Sequence, residues 1–290
     1  MACISELVTY PVKGCAGVST HDARMTEAGL THDRSFLVIT PDGTFRSQRR
    51  SPKLALIRPG ITSPADDPGG DAAEQLTLDA AGMERLRVPV DLTAPRRDVT
   101  LFGAPYQGID QGAGVAEWLS EALGEPSRLV RVPPEHRRIA DGMTPGTSAY
   151  ADSNPVHLLS VRSLDGLNER LLAGGDEPLP MTRFRPNIVV DGTVDGWERP
   201  HREDALRLVR AGDAELAYAK LAIRCVVTTV DQSSGTKSGP EPLRTLAGYR
   251  RATATGGTGV AFGVKLSVLR PGKLSVGDEL TVDEWGTPEV

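Results

Sequence analysis

The 290 residues are enough for one large or two ordinary domains, and 39% apolar with 24% charged residues is the composition of a packed soluble protein. A net charge of −5, from 33 Lys and Arg against 38 Asp and Glu, argues against nonspecific nucleic-acid binding. No apolar run reaches the roughly 20 residues needed to span a bilayer, and Met1-Ala2-Cys3-Ile4-Ser5-Glu6 shows no basic stretch ahead of an apolar one.

Alternating runs predict strands over residues 4–12, 35–40, 54–57, 75–78 and 98–102, separated by Gly, Pro and Asp turns. Residues 63–70 read as a loop. Helical spacing follows over 114–123, with Val115, Trp118, Leu119 and Leu123 on one face. A Pro- and Arg-rich passage at 126–155 is the expected boundary between two domains, 1–125 and 126–290. Ser163 is placed as the cap of a helix carrying Leu164, Leu167, Leu171 and Leu172, stopped by Gly174-Gly175. Strands are then expected at 187–191, 205–209, 215–218 and 221–231, a helix at 242–250, and strands at 261–268 and 279–282. Many short strands with few helices indicate a mainly β, barrel-like architecture (α+β) in both parts.

The densest candidate is Arg224-Cys225-Val226-Val227-Thr228-Thr229-Val230-Asp231, a thiol beside a cation in an extended apolar run. A free cysteine is often just a small buried hydrophobe, whereas an adjacent cation favours the thiolate that attacks electrophiles or ligates metals. Neighbours on a regular strand point to opposite faces, so Arg224 and Cys225 share a pocket only at a strand end or a bulge. Lys13 stands at a strand end before Gly14, where a ligand can approach the backbone; a solvated lysine is the plain alternative. Arg34 is either a binding group or half of an ion pair with Asp33. Arg185 precedes Pro186, which predicts an extended backbone aiming a guanidinium suited to bidentate phosphate contacts. Asp231 reads as a turn-ending aspartate or as a group supporting the thiol site.

Other chemistries lack support. There is no CxxC pair and no HExxH, and the five histidines show no ligand spacing. No Ser-His-Asp order stands out, and Gly256-Gly257-Thr258-Gly259 reads as a flexible connection rather than a phosphate loop. Three cysteines, at 3, 15 and 225, fit reduced thiols in a cytoplasmic compartment and are too few for a four-cysteine iron–sulfur cluster.

Taken in order, Tyr10-Pro11-Val12-Lys13-Gly14-Cys15, Asp33-Arg34, Asp152-Ser153-Asn154-Pro155, Phe184-Arg185-Pro186-Asn187, Arg224-Cys225 and Phe262-Gly263 resemble the MOSC superfamily. The resemblance is to its two-part members, with an N-terminal β-barrel domain before a MOSC domain, among them the amidoxime-reducing enzymes. It implies a molybdenum cofactor with Cys225 as metal ligand and catalytic centre. Lys13, Gly14, Arg34, Asp152, Ser153, Asn154, Arg185, Asn187, Arg224 and Lys265 would surround the pterin and its phosphate. Gly14 stands where those enzymes carry serine, and Lys265 falls near a family tyrosine. The implied activity is reduction of small N-hydroxylated compounds such as amidoximes and hydroxylamines, by oxygen-atom transfer to molybdenum. A separate ferredoxin-like or cytochrome-like protein would supply electrons, without nucleic acid or membrane as partner. A persulfide-carrying transferase and a cofactor carrier without turnover are the alternatives.

Overall fold

The computed structural model describes residues 1–62, 74–254 and 257–290; the loop expected at 63–70 and Gly256 lie outside the described residues. The chain is mainly β with few helices. Strands β1 (Ala2–Thr9), β2 (Val12–Lys13), β3 (Val18–Thr20), β4 (Phe36–Ile39), β5 (Arg96–Leu101), β6 (Ala104–Asp110) and β7 (Arg128–Arg131) come first. They are followed by β8 (Val156–Ser160), β9 (Ile188–Gly192), β10 (Leu206–Ala211), β11 (Ala214–Arg224), β12 (Arg251–Ala254), β13 (Gly257–Arg270) and β14 (Glu279–Trp285). The α-helices are α1 (Ala113–Leu123), α2 (Val161–Ala173) and α3 (Leu243–Ala247). Among the described residues no helix is long and apolar enough to cross a membrane.

A five-stranded sheet runs β5-β6-β7-β4-β2. Its strand β4 is buried on both sides, which is why it reads as an unbroken apolar run. Phe36 and Val38 pack with Leu54, Trp118 and Leu119, while Leu37 and Ile39 pack with Val99, Val130 and Tyr150. The larger sheet runs β8-β9-β1-β14-β10-β11-β13-β12, with β3 added to β1. β8 also pairs with β13, so the hydrogen-bonded path closes on itself around Leu7, Ile188, Leu216, Tyr218 and Val264. Strand β1 therefore belongs to the sheet built mostly from later strands, and β7, within the 126–155 passage, belongs to the earlier sheet.

Several local expectations change. Residues 54–56 fall on a 3-10 turn, Pro52–Leu56, rather than a strand, because Pro52 fixes a helical φ in its first turn, and Ile57 follows it in extended form. Helix α2 is capped by Ser160, whose Oγ accepts from the Ser163 amide at 3.0 Å; Ser163 sits inside the first turn. Leu167 and Leu171 are buried, but Leu172 is 59% exposed, off the packed stripe. The helix expected at 242–250 is the short α3. The two strands expected at 215–218 and 221–231 are one strand, β11, which ends at Arg224; a 3-10 turn, Val226–Thr229, follows Cys225.

Candidate functional site

A cavity of about 620 Å³ lies between the two sheets. Lys13, Gly14, Arg34 and the 45–49 loop line it from one side, and His157 of β8, residues 220–224 of β11, Cys225 and Lys265 of β13 from the other. Nine lysine and arginine side chains line it against two aspartates, Asp141 and Asp152, although the whole chain is net negative. Such an excess of one sign in a concave site selects an anion.

Cys225 meets the geometric condition for sharing a pocket with Arg224. Strand β11 stops at Arg224, so the pleat no longer forces the next side chain to the opposite face, and both residues line the cavity. The Cys225 carbonyl accepts from the Thr228 amide at 3.0 Å and from Thr228 Oγ1 at 2.9 Å, fixing the turn behind the thiol. Arg183 secures the same turn from below. It is buried and donates to Thr228 O at 3.3 Å, Ser238 Oγ at 2.7 Å and Asp231 Oδ2 at 3.4 Å. Asp231 is a turn residue: its Oδ1 accepts from the Ser233 and Ser234 amides and from Ser233 Oγ, and these bonds hold its carboxyl down at about 2. A second guanidinium, Arg49 of the 45–49 loop, lines the cavity with Cys225, and its interaction with the Cys225 side chain raises the Arg49 pKa.

Arg34 and Arg185 are held by Tyr10. Their guanidinium carbons lie 4.3 and 4.2 Å from the Tyr10 ring centroid. Burial pushes the Tyr10 phenol up, against the pull of Arg185 and Arg34, so the ring is a neutral platform. Arg34 also donates to Asp33 Oδ2 at 2.5 Å, Asn187 Oδ1 at 3.0 Å and the Arg185 carbonyl at 3.3 Å. Arg185 is not extended as the following proline predicts: its φ is 56°, and that of Arg34 is 49°. Left-handed backbone at two non-glycine residues is strain, maintained here by the shared ring and the interlocking bonds.

The lysines form a row across three strands. In register, His157 of β8 faces Lys265 of β13, and Lys265 faces Lys220 of β11. A bulge between Tyr218 and Lys220 sets this pairing. Like charges directly opposite repel, and each member answers differently. Lys220 is neutralised by Asp141, and Lys13 near by is neutralised by Asp152. His157 is fully buried with Arg224 Nη1 3.4 Å from Nε2; desolvation, then Lys265 and Arg224, push its pKa well below the usual value. Lys265 has no hydrogen bond or ion pair among the described residues, and desolvation followed by Arg224 lowers its pKa to about 7. Asp152 is 71% accessible, but to a cavity crowded with cations, and Lys13 holds its carboxyl far below the ordinary range.

Of the residues singled out from sequence, Lys13, Gly14, Arg34, Asp152, Ser153, Arg185, Arg224, Cys225 and Lys265 line the cavity together. Asn187 and Asn154 do not line it. Asn187 is a buried bracket, its Nδ2 donating to Asp33 Oδ1 at 2.9 Å and Val8 O at 3.1 Å. Asn154 donates to the Asp141 carbonyl at 2.9 Å, from behind the wall. Sequence reasoning missed Tyr10, Arg49, Arg138, His157 and Lys220. Only Tyr10, immediately before Pro11-Val12-Lys13, had a neighbouring signal.

Residues 1–126 match the MOSC N-terminal beta barrel domain, and residues 145–281 match the MOSC domain. Mitochondrial amidoxime-reducing component 1 of Homo sapiens is 34% identical over 292 residues, covering 95% of this chain and 81% of that protein. This is a MOSC-family protein. The amidoxime-reducing component 1 of Mus musculus is 35% identical with 95% and 80% coverage. Molybdenum cofactor sulfurase of Danio rerio is 28% identical over 96% of the MOSC chain, which spans 34% of that larger relative. The MOSC chain's donor set suits an anionic group carrying a soft metal. One accessible thiol adjoins several fixed cations, and among the described residues Arg224 Nε is buried without a partner and Lys265 is unpaired.

Proposed function

We propose that the protein is a molybdenum-cofactor-dependent reductase of N-hydroxylated compounds such as amidoximes and hydroxylamines. The observation that carries this reading is the placement of the Cys225 thiol, at the end of β11, in a cavity whose cations outnumber its carboxylates. In this reading Cys225 ligates the metal, while Arg34, Arg185, Arg224, Lys13 and Lys265 hold the pterin and its phosphate. When bound, the cofactor supplies the two-electron couple that removes the substrate oxygen. The residues contributed by this chain orient and desolvate. Tyr10 fixes two guanidiniums in place, Asp152 keeps Lys13 charged, and Arg183 holds the turn beneath the thiol. Asn154 and Asn187 support the wall from behind. Because both sheets line the cavity, the two parts, 1–125 and 126–290, act as one site.

Three cysteines cannot hold a four-cysteine cluster, and the sequence has no GxGxxG fingerprint. A separate electron-donor protein, ferredoxin-like or cytochrome-like, completes the reading, through a transient interface below about 1,200 Å². Metal and pterin analysis of the purified protein, followed by turnover of an amidoxime with reduced viologen dye, tests it. Stoichiometric molybdenum and dye-driven turnover, both lost in Cys225→Ser, are expected. Full turnover by Cys225→Ser, or robust NADH-driven turnover by the pure chain alone, overturns it. Molybdenum without turnover makes the chain a carrier, and persulfide on Cys225 without molybdenum makes it a transferase.

A further inference from the structure

Strands β5 and β6 are joined by two residues, Phe102 and Gly103, with Leu101 paired to Ala104. Both loop residues have positive φ, 54° and 82°. That pattern marks the type I′ hairpin turn, whose first central position favours Asn, Asp or Gly. A bulky side chain there is a conformational outlier. Core packing does not account for it either, because Phe102 is 46% exposed.

What the strained backbone achieves is the position of the ring. Phe102 lies edge-on to Phe45, with centroids 4.8 Å apart, and 5.0 Å from Lys13 Nζ; both rings line the cavity. Ile139, 68% exposed, is another large apolar side chain on that wall. The wall also carries Phe184 and Leu221, both buried, and Ile223 and Val227, both half-buried, so Phe102 and Ile139 are its most exposed large apolar side chains, set among the cations. Strain retained at a costly position, with the side chain directed into a cavity, is the mark of a functional residue.

We propose that Phe102, with Ile139, forms an apolar rim that holds the organic group of the substrate and sets a preference for aryl over alkyl N-hydroxylated compounds. The assignment rests on the reductase reading above. An aryl group gains an offset or edge-to-face partner in Phe102 and excludes water beside it, which a methyl group cannot do to the same extent.

The test uses cofactor-loaded wild type, Phe102→Asn and Phe102→Leu, with benzamidoxime and acetamidoxime as substrates and reduced viologen as donor. In Phe102→Asn the benzamidoxime-to-acetamidoxime KM ratio should rise roughly tenfold, the scale of one lost apolar contact in a pocket. The thermal midpoint of the same variant should rise, because Asn adopts the left-handed turn with less strain. Phe102→Leu should raise the ratio less and leave the midpoint nearer wild type. An unchanged KM ratio in both variants overturns the proposal. So does a lowered midpoint or lost molybdenum in Phe102→Asn, since the ring would then serve packing or cofactor retention. If the wild type reduces neither amidoxime, the reductase reading fails first and this assignment falls with it.

Discussion

Arg185 lies with its guanidinium 4.2 Å from the centre of the Tyr10 ring, while its backbone is held at a φ of 56°. The side chain is thus fixed at both ends, by a left-handed main chain and by an aromatic face that Arg34 shares. A guanidinium so constrained has little rotamer entropy left to lose when an anion arrives.

Tyr10→Phe should therefore be nearly silent, because the ring alone provides the platform. Tyr10→Leu should lower molybdenum-cofactor occupancy about tenfold or more, from the loss of two cation–π contacts of roughly 0.5–1 kcal/mol each and the freed side-chain motion. Metal content after cofactor-limited expression measures this. Equal occupancy in both variants would remove Tyr10 from the site.

Arg183 and Arg185 are two residues apart, yet their substitutions should act on different properties. Arg183→Met breaks a buried set of bonds to Thr228, Ser238 and Asp231. It should cost about 3 kcal/mol of stability, read by urea unfolding. Arg185→Met should change stability little and reduce cofactor content. A stable Arg183→Met protein contradicts the anchoring role.

Thiol reactivity should divide the three cysteines. Cys15 is fully buried, and desolvation pushes its pKa up to about 12, so iodoacetamide at pH 8 should leave it unmodified until the protein unfolds. Cys3 and Cys225 should be labelled in the cofactor-free protein, and cofactor loading should protect Cys225 alone. Mass spectrometry of the digested protein gives the answer directly. Labelling of native Cys15 would show that its pocket opens.

Lys265 predicts a pH dependence of stability. Its folded pKa is lowered to about 7, chiefly by desolvation, from an ordinary 10.5. Between those values the unfolded chain holds a proton that the folded protein has released, so stability rises with pH across the window. The slope from this one group stays below about 1.4 kcal/mol per pH unit, reduced by cavity water. Lys265→Met should flatten that part of the profile, measured by urea unfolding of cofactor-free protein from pH 7 to 9. An identical slope in the variant would place the amine in ordinary solvent.

The mainly β character, the thiol and most of the cavity cations were legible in the sequence because each sits in a short, dense segment. Arg224 and Cys225 are neighbours in the chain, and the pleat requires a strand end or bulge for both to line one pocket, which the end of β11 at Arg224 provides. Lys220 and His157 were not legible, since only the strand register and the bulge after Tyr218 bring them beside Lys265. Arg49 meets Cys225 from the 45–49 loop, and no local pattern announces such a partner. The Arg185 backbone misled for a related reason: a tertiary platform overrode the preference that proline imposes on its predecessor. Phe102 carried the least warning, because Phe-Gly is a poor written signal for a two-residue hairpin turn.

Strand β1 pairs with β9 through Ile4↔Val190 and with β14 through Ala2↔Leu280. During synthesis β1 can meet β3 early but must wait for β9, and longer still for β14, before its pairing is complete. Until then Leu7 and Val8 have only β3 beside them, through Leu7↔Thr20 and Val8↔Ser19, while Ile4 lacks its partner, and the open edge invites intermolecular strand exchange. Closing contacts of such sequence separation also slow folding. Full pairing of β1 thus comes late, and the long wait for β9 and β14 is a folding liability that lies away from the cavity.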